Sequence, residues 1–215
     1  MKKLSFLLIC VASKKYGFGH LNRSISFSHY INKKHSSKII TFTNDTIQQK
    51  LNKCKPNLIK KFDKKLNDKD IEKYDFVIFD ISNNLFLKNN KIIKHLEKIS
   101  NRYSEKIIII DGIKNEMINK NKKIRKKLLI CPYLVEKNEI KKNNKDTKYL
   151  IGSKYFIPHP KMINLKKKVI KKNVRNVLVT CGGSDLEFYS IYLTKILLEL
   201  DINIKINVII GPFFN

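Results

Sequence analysis

With 215 residues and 42% apolar side chains, the chain can bury one full domain and part of another, which makes it a globular protein and not a disordered tail. Its formal net charge of +27 suggests a polyanion-binding surface, yet lysine supplies nearly all of it, with guanidinium groups only at Arg23, Arg102, Arg125 and Arg175. Lysine is scattered among abundant Asn and Ile, and the densest runs, 120–127 and 166–172, lack the interleaved aromatics of a base-stacking platform, so no nucleic-acid partner is expected.

Met1-Lys2-Lys3 followed by the apolar residues 4–12 has the outline of a signal peptide. The run is short, however, and Ser13-Lys14-Lys15-Tyr16 is a poor cleavage site, so 4–12 is read as the buried first strand of a parallel sheet. No later run reaches the ~18 to 20 apolar residues of a membrane span, and the expectation is a soluble, cytoplasmic protein without stable membrane association.

Next comes Tyr16-Gly17-Phe18-Gly19-His20, which turns the strand into a helix-like segment at 21–33. Alternate glycines let backbone approach a ligand closely, and the N–H groups that open the helix suit an anion. Further buried-type strands follow at 38–43, 76–80, 106–111 and 127–131, separated by helix-like spacing at 25–31, 46–51 and 92–99, with Asn44-Asp45 as N-cap of the second. Alternating β and α of this density predicts a doubly wound, Rossmann-like parallel sheet over residues 1–155. Its ligands should gather at the carboxyl ends of the strands, where Gly17, Gly19, Thr43, Asp80 and Asp111 would lie.

Residues 136–148 read as a charged surface connection, and Tyr149 to Gly152 as a short strand leaving this domain. Residues 156–175, with Pro158, Pro160 and a lysine-rich stretch, read as a linker. At 176–180 a new buried strand runs into Cys181-Gly182-Gly183-Ser184-Asp185, then a helix at 186–200 and a strand at 204–210 ending in Gly211. This is a second β-loop-α-β unit, the start of an incomplete Rossmann-like domain at 176–215.

Cys10, Cys54, Cys131 and Cys181 are too far apart for a zinc motif and read as reduced, buried thiols. The five histidines are dispersed, so no metal and no cofactor is expected. Gly17-Phe18-Gly19 starts like a dinucleotide fingerprint, but Asn22 replaces its third glycine and the second strand ends in Thr43-Asn44-Asp45 without a clearly placed ribose-binding acid.

These landmarks in order carry a resemblance: Gly17-Phe18-Gly19-His20 with Arg23 one turn on, Phe79-Asp80 at a strand end, Asp111, Gly152 with Tyr155, and Gly182-Gly183-Ser184-Asp185. The chain resembles the hydrolases of pseudaminic acid biosynthesis that release UDP from UDP-2,4-diacetamido-2,4,6-trideoxy-β-L-altropyranose, relatives of the two-domain GT-B glycosyltransferases. The resemblance implies a GT-B-like fold and a UDP-sugar substrate. It assigns to His20 the base that activates water, and to Gly17, Gly19, Arg23, Asp80, Asp111, Tyr155, Gly182, Gly183, Ser184 and Asp185 the binding of substrate. The chain departs from the family at Ile81-Ser82, where a His-Tyr pair is usual, and at His159, where an arginine is usual. The family's uridine-binding segment would lie beyond Asn215, so a C-terminally truncated member is expected.

The chemistry is coherent without the resemblance. Water attacking an anomeric carbon must lose a proton, which an imidazole can accept, while backbone amides at 182–184, the Ser184 hydroxyl and the following helix would stabilise the departing diphosphate. Two other readings remain open: a GT-B-type glycosyltransferase whose base deprotonates an acceptor hydroxyl, and a non-catalytic basic protein that binds nucleic acid or an acidic partner.

Overall fold

The computed structural model describes residues 2–42, 59–61, 68–82, 88, 90–111, 124–134, 146–166, 169, 172–200, 202–211 and 214. The expected helix at 46–51 with its Asn44-Asp45 cap, Thr43, Cys54, and most of the connection at 136–148 and of the two lysine runs lie outside these residues.

The first strand, β1 (Ser5–Val11), is buried along nearly its whole length and pairs in parallel with both β2 (Ser36–Phe42) and β4 (Phe76–Asp80). With β3 (Ile59–Lys61), β5 (Ile107–Ile110), β6 (Leu128–Cys131) and β7 (Lys148–Ile151) these form, among the described residues, one seven-stranded parallel sheet in the order β3-β2-β1-β4-β5-β6-β7. Side chains of successive strand residues point to opposite faces, and both faces are apolar here. Leu7, Ile9 and Val11 pack on one face with Ile93, Leu96 and Ile99 of α3 (Asn90–Arg102) and with Ile71 of α2 (Asp68–Glu72). Leu8, Cys10 and Ala12 pack on the other with Leu21 and Ile31 of α1 (Gly19–Ile31). Helices therefore cover both faces, as the alternating pattern predicts, and the domain is Rossmann-like.

α1 buries serines as well as hydrophobes: Ser24, Ser26 and Ser28 are all buried. Small side chains bring the helix close to the sheet, and the hydroxyls of Ser26 and Ser28 find local partners. Ser26 donates to the Asn22 carbonyl at 2.9 Å, and the Ser28 and Ser37 hydroxyls meet at 2.8 Å. Burial pushes the Cys10 thiol up to about 12, with the nearby Asp80 charge adding to the effect, so it is an inert core group.

Two elements differ from their sequence reading. Tyr149 to Gly152 does not lead away from the domain: β7 adds to β6 in register Cys131↔Ile151, and Gly152 N–H donates to the Cys131 carbonyl at 3.0 Å. Gly152 then takes φ 115°, a conformation suited to glycine, to start the turn Ser153–Tyr155. The segment read as a linker also begins docked, because Tyr30 Oη donates to the Pro158 carbonyl at 3.0 Å and Ile157 packs on the α1 side of the core.

β8 (Asn176–Thr180) and β9 (Lys205–Ile209) form a separate parallel pair, with α4 (Tyr189–Glu199) between them in sequence. This is the second β-α-β unit anticipated above. Much of its apolar surface is exposed, including Leu178, Ile191, Leu193, Leu198 and Ile210. Gly211 lies against the glycine loop so closely that an added Cβ would fall 2.5 Å from the Gly182 carbonyl oxygen and 2.7 Å from that of Gly183. Those neighbours are backbone, and Gly182 is already held at φ 79°. The Gly211→Ala substitution is therefore expected to displace the loop and to cost about 1–3 kcal/mol locally. Hydrogen exchange reports it as lost protection at the Asn176–Thr180 amides with β1 unchanged; equal protection in both proteins would refute the packing argument.

No helix among the described residues is long and apolar enough to cross a membrane.

Candidate functional site

Strand order reverses between β1 and β4: β2 lies on one side of β1 and β5 on the far side of β4. At such a switch point the segments leaving the two strands diverge and open a crevice at their carboxyl ends. The chain leaves β1 through a tight loop in which Gly17 N–H donates to the Ser13 carbonyl at 2.8 Å, and Gly17 itself takes φ 74°. α1 begins at Gly19, so His20 sits in its first turn, and Arg23 falls on the same helix face one turn later. β4 ends in Asp80.

These three residues meet. His20 Nδ1 lies 2.7 Å from Asp80 Oδ1, Arg23 Nε donates to Asp80 Oδ2 at 2.8 Å, and Arg23 Nη2 donates to Asp80 Oδ1. Arg23 Nη1 reaches the segment after β6, two strands beyond β4, and donates to Tyr133 Oη at 2.5 Å. The Asp80 side chain is 0% exposed. Burial by itself would raise the Asp80 value and lower that of Arg23. The bonds and charges between them outweigh burial, so Asp80 is held below the ordinary carboxylate value and Arg23 above its own.

The protonation pattern follows from this. An ionised carboxylate has no proton to give, so in the 2.7 Å contact His20 Nδ1 carries the hydrogen and donates it, and Arg23 Nη2, 3.2 Å from the same nitrogen, directs its hydrogen to Asp80 Oδ1 instead. The neutral ring therefore has Nε2 as its acceptor. Arg23 balances the charge of Asp80, so the carboxylate orients the ring while a fixed cation shares its field.

His20, Gly19, Asn22, Arg23 and Ser26 of α1 form part of the lining of a cleft of about 600 Å³, which is completed by Tyr133 and by Phe156, Ile157, His159 and Met162. Gly183 of the second loop approaches the first: a Cβ there would lie 3.0 Å from Phe18 Cδ2. The structure thus brings together Gly17, Gly19, His20, Arg23 and Asp80, with Gly182 and Gly183 close by and Ser184 following them.

Several expected ligand contacts lie elsewhere. Asp80 was expected to touch substrate, but its buried carboxylate is engaged by His20 and Arg23. Asp111 is fully buried and accepts from Ser82 Oγ at 2.6 Å, away from the cleft lining. Tyr155 packs into the core beside Leu150 and Ile157, with Lys154 Nζ 5.0 Å from its ring centroid. Asp185 points at its own helix: Tyr189 N–H donates to Oδ1 at 2.9 Å and Ser190 N–H to Oδ2 at 2.8 Å. Burial would raise the Asp185 value, and these bonds, with that from the Ser190 hydroxyl, hold it below the ordinary range instead. The helix end expected to receive a diphosphate is capped by the chain's own carboxylate. Tyr133 and Phe156, together with Ser26, Ile157 and Met162, line the cleft without having been singled out by sequence reasoning. Tyr133 follows β6 by two positions, a strand-end location in a sheet of this class that could have flagged it.

No group of three or more His, Cys, Asp or Glu among the described residues is arranged to hold a metal ion.

Fold and site together define a Rossmann-like α/β protein with a histidine, an aspartate and an arginine joined at the topological switch point. The chain is 28% identical over 229 aligned positions to a Methanocaldococcus jannaschii protein described as uncharacterized protein MJ1062. The match covers 98% of this chain and 43% of that protein, so the chain spans less than half the length of the curated relative it matches. No family model matches the chain, and no solved structure matches it significantly.

Proposed function

We propose that the chain carries the catalytic domain of a nucleotide-sugar hydrolase of GT-B-like architecture, acting on a UDP-linked diacetamido trideoxy sugar in the cytoplasm. The observation that supports it most is the His20–Asp80 contact at 2.7 Å, which leaves His20 Nε2 as a proton acceptor beside an open cleft. Water bound there gives a proton to Nε2 as its oxygen attacks the anomeric carbon. The bond from that carbon to the diphosphate oxygen breaks, and its electron pair leaves with UDP. Asp80 stabilises the imidazolium that forms, and Arg23 keeps Asp80 ionised and in place. The Gly182 to Ser184 backbone, close to the first loop, is the segment suited to the departing diphosphate.

Product analysis of the protein with its UDP-sugar tests this reading. Free sugar plus UDP is the expected result. A new glycoside formed only with an acceptor present would replace hydrolysis by transfer, and recovery of intact UDP-sugar would remove both.

A further inference from the structure

A second histidine lines the cleft that holds His20. His159 stands between Pro158, whose carbonyl is held by Tyr30 Oη at 3.0 Å, and Pro160, which opens the turn Pro160–Met162. The two prolines limit the backbone on either side, so the imidazole is presented from a braced segment and not from a free loop. Within that turn the Lys161 backbone N–H donates to His159 Nδ1 at 3.3 Å. An accepting Nδ1 carries no hydrogen, so the neutral ring bears its proton on Nε2. His20 has the opposite arrangement, with its proton on Nδ1 and a lone pair on Nε2. The cleft therefore contains one imidazole acceptor and one imidazole donor, each set by a different backbone or carboxylate partner.

Two other polar groups of the lining, Arg23 and Ser26, already have partners within the protein. Arg23 is bonded to Asp80 and Tyr133, and the Ser26 hydroxyl to the Asn22 carbonyl. His159 is exposed, and among the described residues its Nε2–H has no hydrogen-bond partner that would compete with a ligand.

We propose that His159 is a substrate-binding residue whose Nε2–H donates a hydrogen bond to a neutral oxygen of the sugar, a hydroxyl or an amide carbonyl, held in the cleft while His20 addresses the water. The inference rests on the reading of the cleft as a sugar site. A neutral imidazole donor matches an uncharged oxygen better than a phosphate, which separates its role from that of the glycine loop. No proton is transferred at His159, so the residue affects binding and not the chemical step.

Long-range proton–nitrogen NMR of imidazole-labelled protein at pH 9 reads the two tautomers without any ligand. Protonated Nε2 at His159 together with protonated Nδ1 at His20 is expected; protonated Nδ1 at His159 overturns the proposal. Kinetics with the UDP-linked diacetamido sugar then compare His159→Leu with His159→Gln, whose amide keeps an N–H near the place of Nε2. Loss of one neutral hydrogen bond should raise KM about three- to tenfold in the Leu variant, with kcat nearly unchanged and KM restored by Gln. An unchanged KM in the Leu variant overturns the proposal. If wild-type protein binds the sugar nucleotide without turning it over, the hydrolase reading fails alone. The affinity for the same compound then replaces KM, with the same two outcomes.

Discussion

Replacing Asp80 by Asn is expected to lower stability by about 3–5 kcal/mol, because it removes one partner of a buried ion pair and leaves the other charge uncompensated. Arg23, whose side chain is only 12% exposed, would keep its guanidinium against β4 without a carboxylate to receive Nε and Nη2. For a chain of this size that loss corresponds to a melting temperature lower by roughly 6–20 °C. A second effect separates this mechanism from general damage. The Asp80 carboxyl is held below its ordinary value in the folded protein, so its stabilisation is fully present above the unfolded-state value near 4 and is lost as pH falls through the folded value. Wild type should therefore lose stability on acidification below about pH 4 through a component that Asp80→Asn lacks. Urea denaturation across pH 3 to 7 measures both effects; parallel stability curves for the two proteins would show that the pair contributes no pH-linked stabilisation.

The His20→Gln protein should behave in the opposite way, nearly intact in fold and strongly impaired in turnover. Gln can still donate an amide N–H toward Asp80, and Arg23 retains its own bonds to that carboxylate, so the change in stability should stay within about 1 kcal/mol. The substituted side chain has no basic nitrogen. Under the hydrolase reading kcat should fall by roughly 10²- to 10⁴-fold, the usual contribution of a positioned general base. The wild-type melting temperature with unchanged kcat would exclude His20 as the base. Asp80→Asn should also impair turnover in whatever fraction stays folded, because an amide can donate to His20 Nδ1 and favour the wrong tautomer. Loss of activity at constant stability in one variant, and loss of both in the other, distinguishes a proton acceptor from the group that orients it.

The acid at the end of β4 and the histidine after the glycine loop were both visible as strand-end residues, but their relation was not. They are 60 positions apart, and Arg23 and Asp80 are 57 apart. Nothing in local spacing distinguishes Asp80 from Asp111, which ends the next run in much the same way. The distinction comes from β1 pairing with β4, so that only the acid on the adjacent strand lies under the first turn of α1. Asp185 was misread for a related reason. An acid before a helix is equally compatible with ligand binding and with capping, and the choice depends on the turn at 185–188 folding the carboxylate back onto Tyr189 and Ser190.

The chain by itself determined what depends on near neighbours. In β1 and β5 apolar runs make buried strands, whereas β8, also expected to be buried, and β9 are largely exposed. The glycines allow a tight exit from β1, and the alternation of strand and helix selects a parallel sheet clothed on both faces. Tertiary structure alone decided which distant side chains share a charge. It placed Tyr133 and His159 in the same cleft as His20, turned Asp111 and Tyr155 inward, and made β7 part of the sheet. The physical reason is that hydrogen bonds and ion pairs act over a few ångströms, while the residues that form them here are brought within that range only by strand order.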